Sequence, residues 1–255
     1  MLYSWFRLLY TVWCVLVFAV LFLLLVPFVL LGSWLVGKTD RFGLQLAHGA
    51  IRLWGILAFV FMAIPIRVEW RFRPTPGQAY VYCANHFSYF DIAVLGVMVP
   101  GLYAFIGKKS VRKLPLFGYM YARLHILVDR SNARSRASSL SRCIQTLAQG
   151  RSIIIFPEGG IQAENPPRMC PFKEGAFTMA IQQQVPLVPL TLLNNYRILP
   201  DNGPFRVHWQ PVRVVVHKPI PTTGLTQADA AALRERTYRI IDHELQTTGN
   251  VLVNS

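Results

Sequence analysis

Ser152-Ile153-Ile154-Ile155-Phe156-Pro157-Glu158-Gly159-Gly160 is the stretch on which the reading of this chain turns. An apolar, β-branched run stops at Pro-Glu-Gly-Gly, residues that end a strand and open a turn. Helical texture flanks it. Upstream, Leu140, Ile144 and Leu147 fall at helical spacing within residues 137–148; downstream, 175–183 reads as a second helix. A short strand between two helices is the repeating unit of an α/β fold. Working outward, further strands are expected at 66–72, 78–84, 103–107, 125–128, 187–193, 206–209 and 212–216. Further helices are expected at 91–99 and 228–246, the latter opened by Thr226 and Asp229 as a capping box. The expected architecture is α/β, a mixed sheet flanked by helices. No internal repeat and no low-complexity linker interrupts it.

Upstream of residue 66 the texture is different. Residues 8–37 carry no charge. As a helix that stretch is about 45 Å long, against a hydrocarbon core of about 30 Å. It is too long for a removed signal peptide, and no small-x-small cleavage site follows it. Pro27 marks a position where it can kink. After a turn at 38–41, residues 53–66 form a second charge-free run; extending it back to residue 44 adds His48 and Arg52. The two runs read as a hydrophobic helical hairpin whose second arm is partly interfacial, with Arg52 reaching toward head groups. A buried core helix of the α/β domain is the alternative reading of 53–66. Arg67, Arg71 and Arg73 lie just past the second arm, so the positive-inside rule sets the remainder on the cytoplasmic face of an inner or plasma membrane.

Composition supports lipid contact. Hydrophobic residues make up 53% and charged residues 15% of the 255 residues, whereas soluble domains carry about 25% charged residues. The formal net charge of +14 calls for a polyanionic partner. With an apolar N-terminus that partner is a membrane phospholipid surface; no zinc-finger spacing or RNA-binding aromatic motif points to nucleic acid. The four cysteines, Cys14, Cys83, Cys143 and Cys170, form neither a C-x-x-C pair nor a disulfide framework, and no metal is expected.

Two turns carry chemistry. Asn85-His86-Phe87-Ser88-Tyr89-Phe90-Asp91 follows a strand and opens a helix. With His86 in the turn and Asp91 in the first helical turn, the carboxylate reaches one imidazole nitrogen. That bond sets the tautomer and leaves the other nitrogen as a base. No serine or cysteine sits in a nucleophile-elbow context, so the base acts directly on a substrate hydroxyl. The second turn, Pro157-Glu158-Gly159-Gly160, falls at the carboxyl end of a strand, the edge where α/β sheets bind ligands. There Glu158 can hold a hydroxyl or a cation, and Gly159 permits close backbone approach. Arg130, just past another strand, suits a phosphomonoester; a surface pair with Asp129 is its plainer reading. Lys108 and Lys109 also follow a strand, either reaching phosphate or forming a basic face at the membrane.

The two turns, in this order, resemble the lysophospholipid acyltransferase family, which includes the 1-acylglycerol-3-phosphate acyltransferases. Four blocks match over about residues 66–223. Residues 85–91 resemble the H-x4-D block. Residues 124–130, ending Val128-Asp129-Arg130, resemble the second, which ends in an acceptor-binding arginine. Phe156-Pro157-Glu158-Gly159 resembles the third, and Val185-Pro186-Leu187-Val188-Pro189-Leu190 the fourth. The resemblance implies a glycerolipid acyltransferase-like fold, with residues 1–66 as a membrane-anchoring hairpin and 67–255 as the acyltransferase domain. It implies transfer of an acyl group from an acyl carrier protein or coenzyme A thioester to the sn-2 hydroxyl of lysophosphatidic acid. His86 would be the base and Asp91 its orienting partner; no cofactor is implied. Asn85, Lys108, Lys109, Arg130, Glu158, Gly159 and Lys173 are the expected substrate-binding set.

The chain also departs from that pattern. The third block often continues Thr-Arg-Ser, whereas here Gly160, Ile161 and Gln162 follow, and Leu124 stands at the usual glycine of the second block. Lys173 or Arg168 is the candidate replacement for the lost cation. The acceptor head group therefore stays open between lysophosphatidic acid and another lysolipid. A non-enzymatic membrane-surface protein would explain the charge and the apolar segment, but not two such turns each placed after a strand.

Overall fold

The computed structural model describes residues 2–36 and 41–251. Two long helices come first, α1 (Leu2–Leu35) and α2 (Phe42–Phe61). The expected turn at 38–41 lies outside the described residues except for Arg41. The α/β part follows as β1 (Ile66–Trp70), β2 (Val81–Ala84), α3 (Phe90–Met98), β3 (Tyr103–Lys108), α4 (Phe117–Leu124), β4 (Ile126–Val128), α5 (Ala133–Ala148) and β5 (Ser152–Ile155). It ends with α6 (Gly175–Gln182), β6 (Leu187–Leu192), α7 (Asn195–Ile198), β7 (Val212–Val216) and α8 (Ala230–Val251).

The strands form one sheet in the order β1-β7-β6-β2-β5-β3-β4. Strands β2 to β6 run parallel, while β7 is antiparallel to β6 and β1 follows β7, so the sheet is mixed as expected. Successive side chains of β2 point to opposite faces. Tyr82 and Ala84 enter a core with Cys14, Val17 and Leu21 of α1, Ala58 and Phe59 of α2, and Val94 and Leu95 of α3. Val81 and Cys83 enter a second core with Cys143 of α5, Phe177 of α6 and Leu233 and Ile241 of α8. Each fully buried Val, Leu, Ile or Phe among them contributes roughly 1.5–3 kcal/mol. The apolar hairpin therefore forms, with α3, one of the two layers over the sheet. Its outer face remains apolar: Trp5, Leu9, Leu23, Leu24, Phe28 and Trp34 are exposed. By length and composition both helices are long and apolar enough to cross a membrane, and that outward apolar face is compatible with membrane association.

One expected strand is absent. Residues 206–209 are irregular, because both edges of β7 are already taken by β6 and β1. The segment bonds elsewhere: Val207 N–H donates to Thr11 Oγ1 (3.1 Å) and His208 N–H to Ile198 O (2.7 Å). Helix α4 is not among the expected elements, none of which covers residues 117–124. The capping box at Thr226 and Asp229 forms as expected, ahead of α8.

Four helices end at the sheet edge where the parallel strands begin, and each carbonyl terminus meets an arginine from another element. Arg123 donates to Ser33 O (3.1 Å) and Val36 O (2.8 Å) past the end of α1. Arg52 donates to Val99 O (2.6 Å) after α3, Arg151 to Leu124 O (2.7 Å) of α4, and Arg41 to Gln149 O (2.5 Å) after α5. Terminal carbonyls lack helical partners and carry the negative end of the dipole, so arginine satisfies both needs. Arg52 is thus a cap rather than a residue reaching toward head groups.

The hairpin closes at glycine. A Cβ on Gly32 would lie 2.6 Å from Ala47 N, and one on Gly43 2.7 Å from the carbonyl carbon of Leu35. Gly32→Val is expected to push the helices apart at a cost of about 1–3 kcal/mol, read as a lowered thermal midpoint in detergent. An unchanged midpoint would contradict this close crossing.

Candidate active site

The parallel strands deliver the candidate residues to one edge of the sheet. Residues 85–91 leave the end of β2, 156–160 the end of β5, 129–130 the end of β4, and Asn194 and Asn195 the end of β6. Asn85 is fully buried. Its Nδ2 donates to Leu192 O (3.0 Å) and its Oδ1 accepts from Leu192 N–H (2.8 Å). The amide is thereby engaged on β6 and holds the start of the turn, a scaffolding role.

The turn then places His86 against Asp91. Imidazole Nδ1 lies 2.9 Å from Asp91 Oδ2. The same oxygen accepts from the backbone N–H of Phe87 (2.9 Å) and of Ser88 (3.0 Å). The other oxygen, Oδ1, accepts from Asn195 Nδ2 (2.9 Å). A carboxylate only accepts, so Nδ1 carries the proton and Nε2 is left with its lone pair. The ring is further set by stacking on Phe156, with centroids 3.8 Å apart and planes within 14°. The five-residue spacing brings the two side chains together as expected, because the chain turns before α3 begins.

Glu158 joins the two turns from within. It is 1% exposed. Its Oε1 accepts from His86 N–H (2.8 Å) and its Oε2 from Cys170 N–H (2.8 Å). It therefore presents no free oxygen to a substrate; it anchors the backbone of the histidine to the 157–173 segment. Burial pushes its pKa up to about 7, opposed by the two backbone bonds and assisted by the Asp91 charge.

Gly159 and Gly160 have φ of 86° and 152°, backbone that glycine adopts without a Cβ penalty. The missing side chains make room for two cations. A Cβ on Gly159 would strike the Lys173 ammonium and stem, and one on Gly160 would lie 3.2 Å from Arg130 Nη1. Arg130 donates to Gly159 O, and Lys173 N–H to Pro157 O (2.9 Å). Arg130 and Lys173 thus flank the same turn. Asp129 does not pair with Arg130: its Oδ1 accepts from Ser131 Oγ (2.7 Å) and N–H (3.2 Å). Those bonds, with the charges of Lys109 and Lys108, hold the Asp129 pKa below its ordinary value. Lys108 and Lys109 are exposed at the end of β3, and Arg168 is exposed on the segment after the turn.

The family model for acyltransferases matches residues 66–193, about half of the chain. The chain belongs to the acyltransferase family. It is 32% identical over 196 residues to the 1-acyl-sn-glycerol-3-phosphate acyltransferase BAT2, chloroplastic, of Brassica napus, covering 76% of this chain and 54% of that protein. It is 34% identical over 175 residues to 1-acyl-sn-glycerol-3-phosphate acyltransferase alpha of Homo sapiens, covering 67% and 61%. The chain thus spans little more than half the length of the curated relatives it matches. In fold it is similar to the crystal structure of the 1-acyl-sn-glycerophosphate (LPA) acyltransferase PlsC from Thermotoga maritima, with a TM-score of 0.76, 22% identity, and coverage of 96% of this chain and 97% of that one.

In this acyltransferase, sequence reasoning missed Asn195. Two consecutive asparagines directly after a strand, on the ligand-binding edge, were the available signal. Among the described residues no three His, Cys, Asp or Glu side chains gather as a metal site.

The raised Glu158 pKa has a consequence for stability. Between its ordinary 4.5 and about 7, the folded chain keeps a proton that the unfolded chain has released. Stability from this group is therefore greatest at and below the lower value and falls as pH rises to the upper, by on the order of 3 kcal/mol. Glu158→Gln, neutral throughout, should abolish that slope while losing about 1–3 kcal/mol from one unmade backbone bond. Denaturant titrations of both chains across this range test it; identical slopes would remove Glu158 as the titrating group.

Proposed function

We propose that this acyltransferase moves a fatty acyl group from a thioester to the sn-2 hydroxyl of lysophosphatidic acid, forming phosphatidic acid. The observation that carries the reading is the 2.9 Å bond from His86 Nδ1 to Asp91, set beside a glycine turn flanked by Arg130 and Lys173. The printed names of the relatives support the acceptor. His86 Nε2 takes the hydroxyl proton as the oxygen attacks the thioester carbonyl. Asp91 stabilises the imidazolium, and backbone N–H groups steady the developing oxyanion. Collapse breaks the carbon–sulfur bond, the thiolate takes the proton from His86, and the thiol leaves. No covalent enzyme intermediate is required.

The donor is acyl carrier protein or coenzyme A in thioester form, and the reaction takes place at a membrane phospholipid surface. Arg67, Arg71 and Arg73, just beyond the second helix, favour the cytoplasmic face of an inner or plasma membrane. Arg130 and Lys173 suit the phosphomonoester. The Gly160-Ile161-Gln162 departure supports a second reading, another lysolipid as acceptor, with the same chemistry at His86.

His86→Ala is expected to lower transfer by about 10²–10⁴-fold while leaving the protein in the membrane fraction. Purified protein in detergent, lysophosphatidic acid and each thioester donor, with free thiol release as readout, decides it. Full retained activity would sink the mechanism.

Arg130→Ala should raise KM for lysophosphatidic acid by about 10–100-fold, the worth of a charge-assisted hydrogen bond, and weaken competing neutral-headgroup lysolipids far less. Equal losses on every acceptor would point away from phosphate recognition by Arg130.

A further inference from the structure

Between β3 and α4 the chain makes a compact projection that the proposed chemistry does not use. Residues 109–113 form a single 3-10 turn, and Leu114-Pro115-Leu116 leads into α4. Leu116 has φ 57° and ψ −58°, and Phe117 N–H donates to Pro115 O at 2.5 Å. That is a γ-turn of the positive-φ kind, a strained conformation for a residue with a side chain. The result of the strain is to point a leucine outward.

Leu116 is 52% exposed, Leu114 53%, Tyr119 45% and Phe117 39%. Around them Lys108, Lys109, Arg112 and Lys113 are also exposed, and no acidic residue occurs from 103 to 128. The projection is built rather than loose. Gly118 N–H donates to Leu114 O (2.8 Å), and any side chain on Gly118 would collide with the carbonyl of Arg112. Helix α4 in turn sits against the membrane helix: Met120 and Leu124 pack with Val26 and Val29 of α1. The exposed apolar surface of α1, with Phe28, Leu31 and Trp34, thus adjoins α4.

We propose that residues 108–119 are a second membrane-contacting element, which inserts Leu114, Leu116 and Phe117 into an anionic lipid surface while Lys108, Lys109, Arg112 and Lys113 engage its head groups. An apolar tip ringed by cations matches an anionic interface, where each part satisfies the other. A second copy of this chain fits poorly, since it would oppose four cations to four. Lys108 and Lys109 act on Asp129, next to Arg130. Contact here would therefore hold the mouth of the candidate site at head-group depth.

The test uses the full chain reconstituted into vesicles of phosphatidylcholine alone or mixed with phosphatidylglycerol. Cys14, Cys83 and Cys143 are buried and Cys170 is half-buried, so a Cys170→Ser background permits labelling at Leu116→Cys, and separately at Leu114→Cys, with an environment-sensitive fluorophore. Thr223→Cys, exposed ahead of α8, is the reference position. In phosphatidylglycerol vesicles, emission from 116 and 114 should shift to the blue and be quenched by head-group nitroxide lipid, and added salt should weaken both effects. Emission as water-like and unquenched as at 223 overturns the proposal. A blue shift indifferent to phosphatidylglycerol and salt overturns the anionic surface as partner, and one that grows with protein-to-lipid ratio assigns the patch to a second copy of the chain instead.

Discussion

A single buried carboxylate organises the reactive edge of this protein. Asp91 is 1% exposed and accepts from His86, from two consecutive backbone N–H groups and from Asn195. A buried acceptor of this kind must be satisfied, and so must the donors that face it. The constraint works in both directions. The turn cannot relax without orphaning Asp91, and Asp91 cannot leave without orphaning the turn. The tautomer and aim of His86 follow from that mutual requirement, and the stack on Phe156 completes it.

The second buried carboxylate, Glu158, does different work with similar chemistry. Asp91 takes two side chains and two backbone N–H groups; Glu158 takes only backbone, at His86 and Cys170. It couples the strand ends of β2 and β5, which are neighbours in the sheet, so the histidine and the glycine turn are held as one unit. Burial is the main reason Glu158 holds its proton more tightly than an ordinary carboxyl, and the Asp91 charge adds to it. Asn85 extends the same frame to β6 through its paired bonds with Leu192.

The positive charge of the chain divides into separate uses. Arg41, Arg52, Arg123 and Arg151 close the carbonyl ends of helices at the edge away from His86. Arg130 and Lys173 gather at the glycine turn on the reactive edge. Lys108, Lys109, Arg112 and Lys113 surround an exposed apolar tip. One net charge is therefore spread over helix ends, the glycine turn and an exposed apolar tip. The hairpin is similarly double: one side covers the sheet with α3, and the other is an exposed apolar face.

Local chemistry was legible in the sequence. The apolar runs of β2, β5 and β6, the uncharged length of α1, the His-x4-Asp turn and the Pro-Glu-Gly-Gly turn are each encoded within a few neighbouring residues, where periodicity and turn propensity operate. Only the tertiary structure decided what those side chains face. Glu158 and Asn85 looked like substrate ligands until distant backbone groups claimed their oxygens and amides. Arg52 proved to cap a helix that begins far along the chain, and residues 206–209 lost strand pairing because β1 and β6 had already closed β7. Asn195 acquired a role only when β6 came to lie beside β2. Hydrogen bonds between residues a hundred positions apart depend on which strands become neighbours, and strand order is a property of the packed sheet rather than of any local stretch.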